Sequence, residues 1–130
     1  MIIYQTTDYI YHKEKITKKV KHYKCLDSQI EQFFKDHPNH DEICAASQPI
    51  RQGTNISIFK KRLPNSTMNK GTRGGYRIIF LSNKKSGNII LLSVYPKIGP
   101  KKKTDLEIGE LEKLIKNSFQ EIANKTLVEY

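Results

Sequence analysis

The chain has 130 residues and a formal net charge of +10, with 37% hydrophobic and 28% charged side chains. This length suits a single domain over residues 1–130 that buries its own core, and the composition excludes an intrinsically disordered chain. The longest apolar run, Ile89 to Val94, is far shorter than the roughly 20 residues of a membrane-spanning helix. No basic segment or cleavage site marks the N-terminus as a signal peptide, so we expect a cytoplasmic protein without membrane contact.

The first predicted elements are a short strand and a basic helix. Residues 2–5 have a β-like composition. Over residues 9–23, Ile16, Val20 and Tyr23 recur at helical spacing with many lysines between them. This pattern predicts an amphipathic helix whose lysines lie mostly in solvent.

A second helix is predicted to begin near Ser28, because Ser28 and Glu31 have the spacing of a capping box. Pro38 predicts that this helix ends before it. The two helices are joined over residues 24–27 and should form a helical hairpin. Residues 39–55 show no clear period and are predicted to be a long loop.

Three strands should follow, because the hydrophobic period then changes to two. They are predicted over residues 56–63, 76–82 and 88–95, with a turn at residues 83–87. Short connections between neighbouring strands favour antiparallel pairing.

A last helix is predicted to begin at a second capping box, formed by Thr104 and Glu107. Its apolar residues recur at steps of three and four, as expected for a helix that packs against the sheet. These residues are Ile108, Leu111, Ile115, Phe119 and Ile122.

The residue types that most often bind metals are sparse and scattered. Cys25 and Cys44 match no metal-ligand spacing and are expected to be free, buried side chains. Four histidines without a clustered pattern are expected at the surface, namely His12, His22, His37 and His40. We therefore predict neither a metal site nor a cofactor.

The positive charge is concentrated in the middle of the chain. Residues 43–104 contain thirteen Lys or Arg side chains and no Asp or Glu, whereas residues 1–42 are neutral and residues 105–130 are acidic. A field of one sign over such a stretch is typical of a protein that binds a polyanion. Nucleic acid is the leading candidate, and an acidic protein partner is also compatible with the charge.

Strand alternation predicts that several of these cations share one face of the sheet. Arginine suits phosphate because its planar fork binds two oxygens, and tyrosine can stack on a base or exchange a proton. RNA cleavage at such a patch would be metal-free, with the ribose 2′-hydroxyl attacking the adjacent phosphorus and cations stabilising the developing charge. The residues of the predicted patch are Lys60, Arg62, Arg77, Tyr95 and Lys97.

The chain also resembles a known family. The segments IFKKRLPNSTMNKGTRGGYRIIFL, IILLSVYPK and DLEIGELEKLI occur in the order and spacing of the RelE/ParE superfamily of bacterial type II toxins, nearest to its RelE-like branch. The likeness covers roughly residues 12–117. It implies an α+β fold in which an N-terminal strand and a helical hairpin pack on a twisted, mainly antiparallel sheet, with a C-terminal helix.

The resemblance implies a ribosome-dependent endoribonuclease, or mRNA interferase, that needs no cofactor and arrests growth. Its expected partners are the ribosome, mRNA and a cognate antitoxin, which can join the toxin in a hetero-oligomer that binds operator DNA through the antitoxin. By position, the five patch residues take the family's catalytic places. RNA-binding roles are predicted for six further basic side chains, which are Lys61, Lys70, Arg73, Lys101, Lys102 and Lys103.

Two other functions are compatible with the sequence. A toxin of the same fold could inhibit DNA gyrase, as the ParE branch does, without cutting RNA. The chain could also be a non-catalytic module that binds nucleic acid or the ribosome, in which case binding would be sensitive to salt and overexpression harmless.

Overall fold

The computed structural model describes residues 1–18, 21–103 and 105–130. Single 3₁₀ turns occupy Lys21–Tyr23 and Ser66–Met68. The helices and strands, in chain order, are β1 (Ile3–Gln5), α1 (Thr7–Thr17), α2 (Leu26–Asp36), α3 (His40–Ala45), β2 (Gln48–Arg51), β3 (Ile56–Leu63), β4 (Tyr76–Asn83), β5 (Asn88–Pro96), α4 (Ile108–Asn124) and β6 (Val128–Glu129).

A six-stranded sheet in the order β2-β3-β4-β5-β1-β6 forms the centre of the fold. Strands β2 to β5 pair antiparallel in sequence, β1 joins β5 in parallel, and β6 pairs antiparallel with β1. The predicted α+β class, mainly antiparallel sheet and C-terminal helix are confirmed. None of the helices in the described part of the chain is long and apolar enough to cross a membrane.

Helices cover both faces of the sheet and create two cores. One core contains residues of α1 and α2, such as Tyr9 and Ile30, packed against β-strand residues such as Phe80. The other lies under α4, where Leu111 and Leu114 pack against the opposite face of β3, β4 and β5. Alternation along the strands sends successive side chains to these two layers.

The helical hairpin differs in detail from the prediction. Helix α1 ends at Thr17, and Tyr23 belongs to a separate 3₁₀ turn; Val20 lies outside the described residues. Helix α2 begins at Leu26, so Ser28 lies inside the helix and the predicted capping box there is wrong. Leu26 is fully buried. Its packing in the core stabilises a helix that begins before Ser28, where the local capping signal placed the start.

The predicted loop over residues 39–55 is wrong, because it contains α3 and β2. Asn39 caps α3 by accepting a hydrogen bond from the Glu42 backbone N–H, and only Ile43 of this helix is buried. All four residues of β2 are exposed, since the strand pairs at the edge of the sheet through its backbone. Neither element therefore leaves a hydrophobic period in the sequence.

The C-terminal helix buries only part of the predicted face, since Leu111 and Ile115 pack in the core as expected but other predicted residues do not. Leu111, Leu114 and Ser118 are its buried residues, whereas Ile108 is 78% exposed and Phe119 and Ile122 are about half as exposed. Glu107 and Glu110 form the capping box of this helix. Thr104, part of the predicted capping box, lies outside the described residues.

Candidate functional site

Strand register places three predicted site residues side by side on the α4 face of the sheet. Arg62 on β3 lies directly opposite Arg77 on β4, and Arg77 lies opposite Tyr95 on β5. Lys60 pairs with Ile79, which belongs to the core under α4. We call Lys60, Arg62, Arg77 and Tyr95 the cationic face.

A bulge in β5 breaks the alternation of side chains between the two faces of the sheet before the strand reaches Tyr95. The register of β5 shifts by one residue between Leu91 and Ser93, opposite Ile79 and Phe80. After this shift Tyr95 shares the α4 core with Leu92, although the two residues are three positions apart. A bulge inserts one extra residue and re-aims the side chains that follow it.

The carboxylate of Asp105 lies within the cationic face, although the sequence argument did not select it. The Tyr95 hydroxyl donates to Asp105 Oδ1 at 3.1 Å, the Leu106 N–H donates to the same oxygen at 2.8 Å, and Lys60 Nζ lies 4.0 Å away. Burial alone would raise the pKa of Asp105, but these hydrogen bonds and the charges of Lys60 and Lys97 lower it. The face is therefore partly neutralised by a residue that immediately follows the acid-free stretch.

The side chain of Arg77 is buried and serves the turn before β4. Arg77 is 4% exposed, and its guanidinium donates to the backbone carbonyls of Thr72 at 2.7 Å, Arg73 at 2.9 Å and Tyr76 at 3.1 Å. Burial, followed by the charge of Arg62, lowers the pKa of Arg77, although an arginine remains protonated at neutral pH. Arg77 therefore contributes positive charge while its donors are used within the chain.

Tyr95 is held as a hydrogen-bond donor. It is 4% exposed, and burial together with the neighbouring Asp105 raises the pKa of Tyr95 well above its usual range. The phenol is thus neutral at physiological pH. In this state Tyr95 is suited to donate a hydrogen bond, and it gives up its proton only to a strongly basic group such as a leaving alkoxide.

Among the remaining predicted site residues, Lys61 is placed on the opposite face of the sheet. Its Nζ donates to the Ala46 carbonyl at 2.9 Å and lies 5.2 Å from the centre of the Phe33 ring. Lys97 is half-buried and follows β5, where its charge acts on Asp105. The other predicted RNA-binding residues are exposed or half-buried on two loops: Lys70 and Arg73 before β4, and Lys101, Lys102 and Lys103 after β5.

Solvent reaches the cationic face through a cavity of about 340 Å³ between β2 and the start of α4. Lys60 and Asp105 line this cavity together with Ile50 of β2 and Ile108 of α4. Lys60 faces this cavity, and Arg62 and Arg77 lie nearby. These cations can bind an anion there if the Asp105 carboxylate moves aside.

Two histidines are more deeply placed than predicted. His12 Nδ1 lies 2.8 Å from Ser93 Oγ, and His40 Nε2 lies 2.6 Å from Ser82 Oγ. The surface prediction is therefore wrong for both side chains. In the described residues, no group of three or more His, Cys, Asp or Glu side chains is arranged to hold a metal ion.

Both cysteines are free and half-buried. Cys25 Sγ donates to Asn65 Oδ1 at 3.1 Å. Burial opposes ionisation of this thiol, but hydrogen bonds from Thr67 and Tyr76 more than offset it and lower the pKa of Cys25.

Comparison with known proteins leaves the chain to be interpreted from its own residues. No protein-family model matches it, and no curated protein matches it.

Proposed function

We propose that this protein is the toxin of a type II toxin–antitoxin system and acts as a ribosome-dependent, metal-free endoribonuclease. The proposal rests on one observation above all: Lys60, Arg62 and Arg77 lie beside Tyr95 at one end of the sheet. The acid-free charge distribution of residues 43–104 adds long-range attraction for RNA.

In the proposed reaction, the ribose 2′-oxygen attacks the adjacent phosphorus and the bond from phosphorus to the 5′-oxygen breaks. The 2′-hydroxyl proton passes to water, Tyr95 gives a proton to the leaving 5′-oxygen, and the ammonium group of Lys60 faces the phosphate. Arg62 and the buried charge of Arg77 stabilise the negative charge that develops on the phosphate. The ribosome would hold the mRNA in the geometry that this small, open site does not impose alone.

The cognate antitoxin is the second proposed partner. An acidic segment of such a partner would complement the face in the way that Asp105 already does within the chain, through Lys60 and Tyr95.

The decisive experiment is induced expression of the protein in growing bacteria, with and without the neighbouring reading frame, followed by mapping of mRNA 5′ ends on isolated ribosomes. We expect growth arrest and cuts within codons. The double variant Lys60→Ala/Arg62→Ala should lower cleavage by about 100-fold, because each lost cation removes charge stabilisation of the transition state.

The matched control is Lys84→Ala/Lys85→Ala, which removes two cations from the exposed turn at the other end of β4. This variant should cut at the normal rate. Arrest with intact mRNA and damaged DNA would contradict the proposal and favour a gyrase inhibitor.

A non-catalytic RNA-binding role is the second candidate, and one observation favours it. The Tyr95 hydroxyl is already hydrogen-bonded to Asp105, and the Arg77 donors are already bound to backbone carbonyls. Such a protein would bind RNA in a salt-dependent way, and its overexpression would neither arrest growth nor cut mRNA.

A further inference from the structure

A second cavity is lined in part by Tyr95, which also belongs to the cationic face. It has a volume of about 380 Å³, within the range of roughly 300 to 1,000 Å³ that is usual for small-ligand sites. Its walls come from α1, the end of β5, the loop after β5 and the start of α4. We call this cavity the lysine pocket, and the lining residues that bear on its chemistry are His12, Lys15, Ser93, Lys101, Lys102 and Glu110.

The loop that carries Lys101, Lys102 and Lys103 is held in place by Tyr23. The Tyr23 hydroxyl donates to the Ile98 carbonyl at 2.8 Å and receives the Lys101 N–H at 3.0 Å. Gly99 has a φ of 91°, and a Cβ at this position would lie 2.5 Å from the Tyr23 hydroxyl oxygen. The pocket wall is therefore fixed by a specific contact that depends on glycine.

The pocket contains one ion pair and three lysines that form none within the described residues. Lys103 Nζ donates to Glu110 Oε1 at 2.9 Å. Lys15, Lys101 and Lys102 enter no ion pair with another residue in the described ranges. These three cations at the rim suit the oxygens of a phosphate group.

The inner wall presents groups that suit a nucleobase. His12 and Ser93 hydrogen-bond to each other at 2.8 Å. The His12 ring is held neutral at physiological pH, because burial lowers the pKa of His12. The Glu110 carboxylate can accept from an exocyclic amino group, as acidic side chains do when they read a base.

From this arrangement we propose that the lysine pocket binds one nucleotide of an RNA strand, with its phosphate at Lys101 and Lys102 and its base beside His12, Ser93 and Glu110. A neighbouring phosphate of the same strand would then extend past Tyr95 toward the cationic face. The role of the pocket in cleavage rests on the proposed function, whereas the binding of a nucleotide does not.

The test is a titration of isotope-labelled protein, followed by NMR. The four ribonucleoside 5′-monophosphates and a short single-stranded RNA are added separately, and inorganic phosphate is the reference. We expect the His12 ring and Ser93 amide signals to move, with at least one nucleotide binding about tenfold more tightly than inorganic phosphate. The RNA should move the same signals.

The variant Lys101→Ala/Lys102→Ala should weaken nucleotide binding by about tenfold or more, and Lys84→Ala/Lys85→Ala should leave it unchanged. Binding of nucleotides no tighter than phosphate, or shifts confined to other residues, would overturn the inference. Binding of free nucleotides without binding of RNA would also overturn it, because the occupant would not be a strand.

The same variants separate this inference from the proposed function. If the Lys101→Ala/Lys102→Ala protein loses nucleotide binding and the unmodified protein does not cut mRNA, the pocket stands and the nuclease proposal fails. If the protein cuts mRNA but nucleotides do not bind the pocket, the nuclease proposal stands and the pocket inference fails.

Discussion

The guanidinium of Arg77 lies beneath the surface, where three backbone carbonyls surround it. Strand alternation correctly places Arg77 beside Arg62, whereas Tyr95 reaches the same face of the sheet only because of the bulge in β5. The sequence could not predict the burial of the guanidinium, which depends on how the preceding turn folds back over β4. The same limit applies to Asp105, which reaches Tyr95 from outside the strands.

Replacing Arg77 should therefore lower the stability of the fold, whatever its effect on RNA cleavage. Arg77→Ala leaves three carbonyl groups without their donors and should lower the free energy of unfolding by about 2–4 kcal/mol. Arg77→Lys should recover part of this loss, since one ammonium cannot reach all three carbonyls. Urea denaturation measures both effects, and the exposed neighbour Arg73→Ala should stay within about 0.5 kcal/mol of the parent protein. An equally stable Arg77→Ala protein would contradict this role.

At Tyr9, in contrast to Arg77, we expect a substitution to stabilise the fold. Tyr9 is fully buried, and among the described residues its oxygen is a buried side-chain atom without a hydrogen-bond partner. Tyr9→Phe should stabilise the fold by about 1 kcal/mol, because it removes a polar group that is desolvated without compensation. Tyr23→Phe is the matched variant and should destabilise by a similar amount, since the Tyr23 hydroxyl makes two hydrogen bonds. Thermal unfolding followed by circular dichroism tests the difference in sign.

Acid should weaken the contact between Asp105 and Tyr95. The pKa of Asp105 is lowered in the folded protein, so the stabilisation from its charge is fully present above the unfolded value of about 4. It is lost as the pH falls from that value through the lower folded pKa. The variant Asp105→Asn should therefore show a smaller loss of stability between pH 5 and the acid limit than the parent protein. Identical acid profiles would show that this carboxylate is not coupled to folding.

A strand or helix is predictable from the sequence where its side chains are buried at regular intervals. Strands β3, β4 and β5 have clear alternation because one or both faces are covered, and their predicted bounds agree with the structure within one residue. The edge strand β2 has only exposed side chains, and α3 buries only Ile43. No hydrophobic period can reveal an element that is held mainly by backbone hydrogen bonds to a neighbour.

The glycine-rich turn before β4 contains one glycine that the fold requires. A Cβ on Gly75 would lie 1.9 Å from the Leu63 carbonyl oxygen and 2.8 Å from Pro64, whereas a Cβ on Gly71 would contact nothing within 4 Å. Gly75→Ala should destabilise the protein by about 2 kcal/mol or more, because backbone must move to admit the methyl group. Gly71→Ala should change stability by less than about 0.5 kcal/mol. Equal effects at the two positions would contradict the close approach of β4 to residues 63 and 64.

Considered as a whole, the molecule places part of its positive charge in two regions that both include Tyr95. The cationic face contains Lys60 and Arg62, and the lysine pocket lies beyond the end of β5. Sequence alone predicts a basic stretch of 62 residues, but it cannot divide that charge between surfaces or show that Lys61 faces the opposite core. The distribution depends on the sheet register and on the path of the loop after β5.

Removal of the Asp105 carboxylate from the cationic face should strengthen RNA binding. Asp105→Asn frees Lys60 from its nearest anion and should tighten binding of a short RNA by about 3- to 10-fold at low salt, with a steeper dependence on salt concentration. Fluorescence anisotropy with a labelled RNA measures both quantities. The comparison variant Glu129→Gln removes a carboxylate from β6, at the far edge of the sheet, and should have little effect. Weaker binding by Asp105→Asn would mean that Asp105 organises the face instead of competing for it.

The parallel pairing of β1 with β5 also sets the order in which a growing chain can fold. Ile2 and Asn88 hydrogen-bond across 86 positions, so the first strand has no partner until most of the chain has left the ribosome. The β3–β4 and β4–β5 hairpins close much shorter loops and can form earlier, since the entropy of loop closure favours local contacts. The docking of β1, and with it α1 beside β5, is therefore a late step of biosynthesis. A nascent chain that ends before β5 could form the β3–β4 hairpin but neither of the two charged regions in its final form.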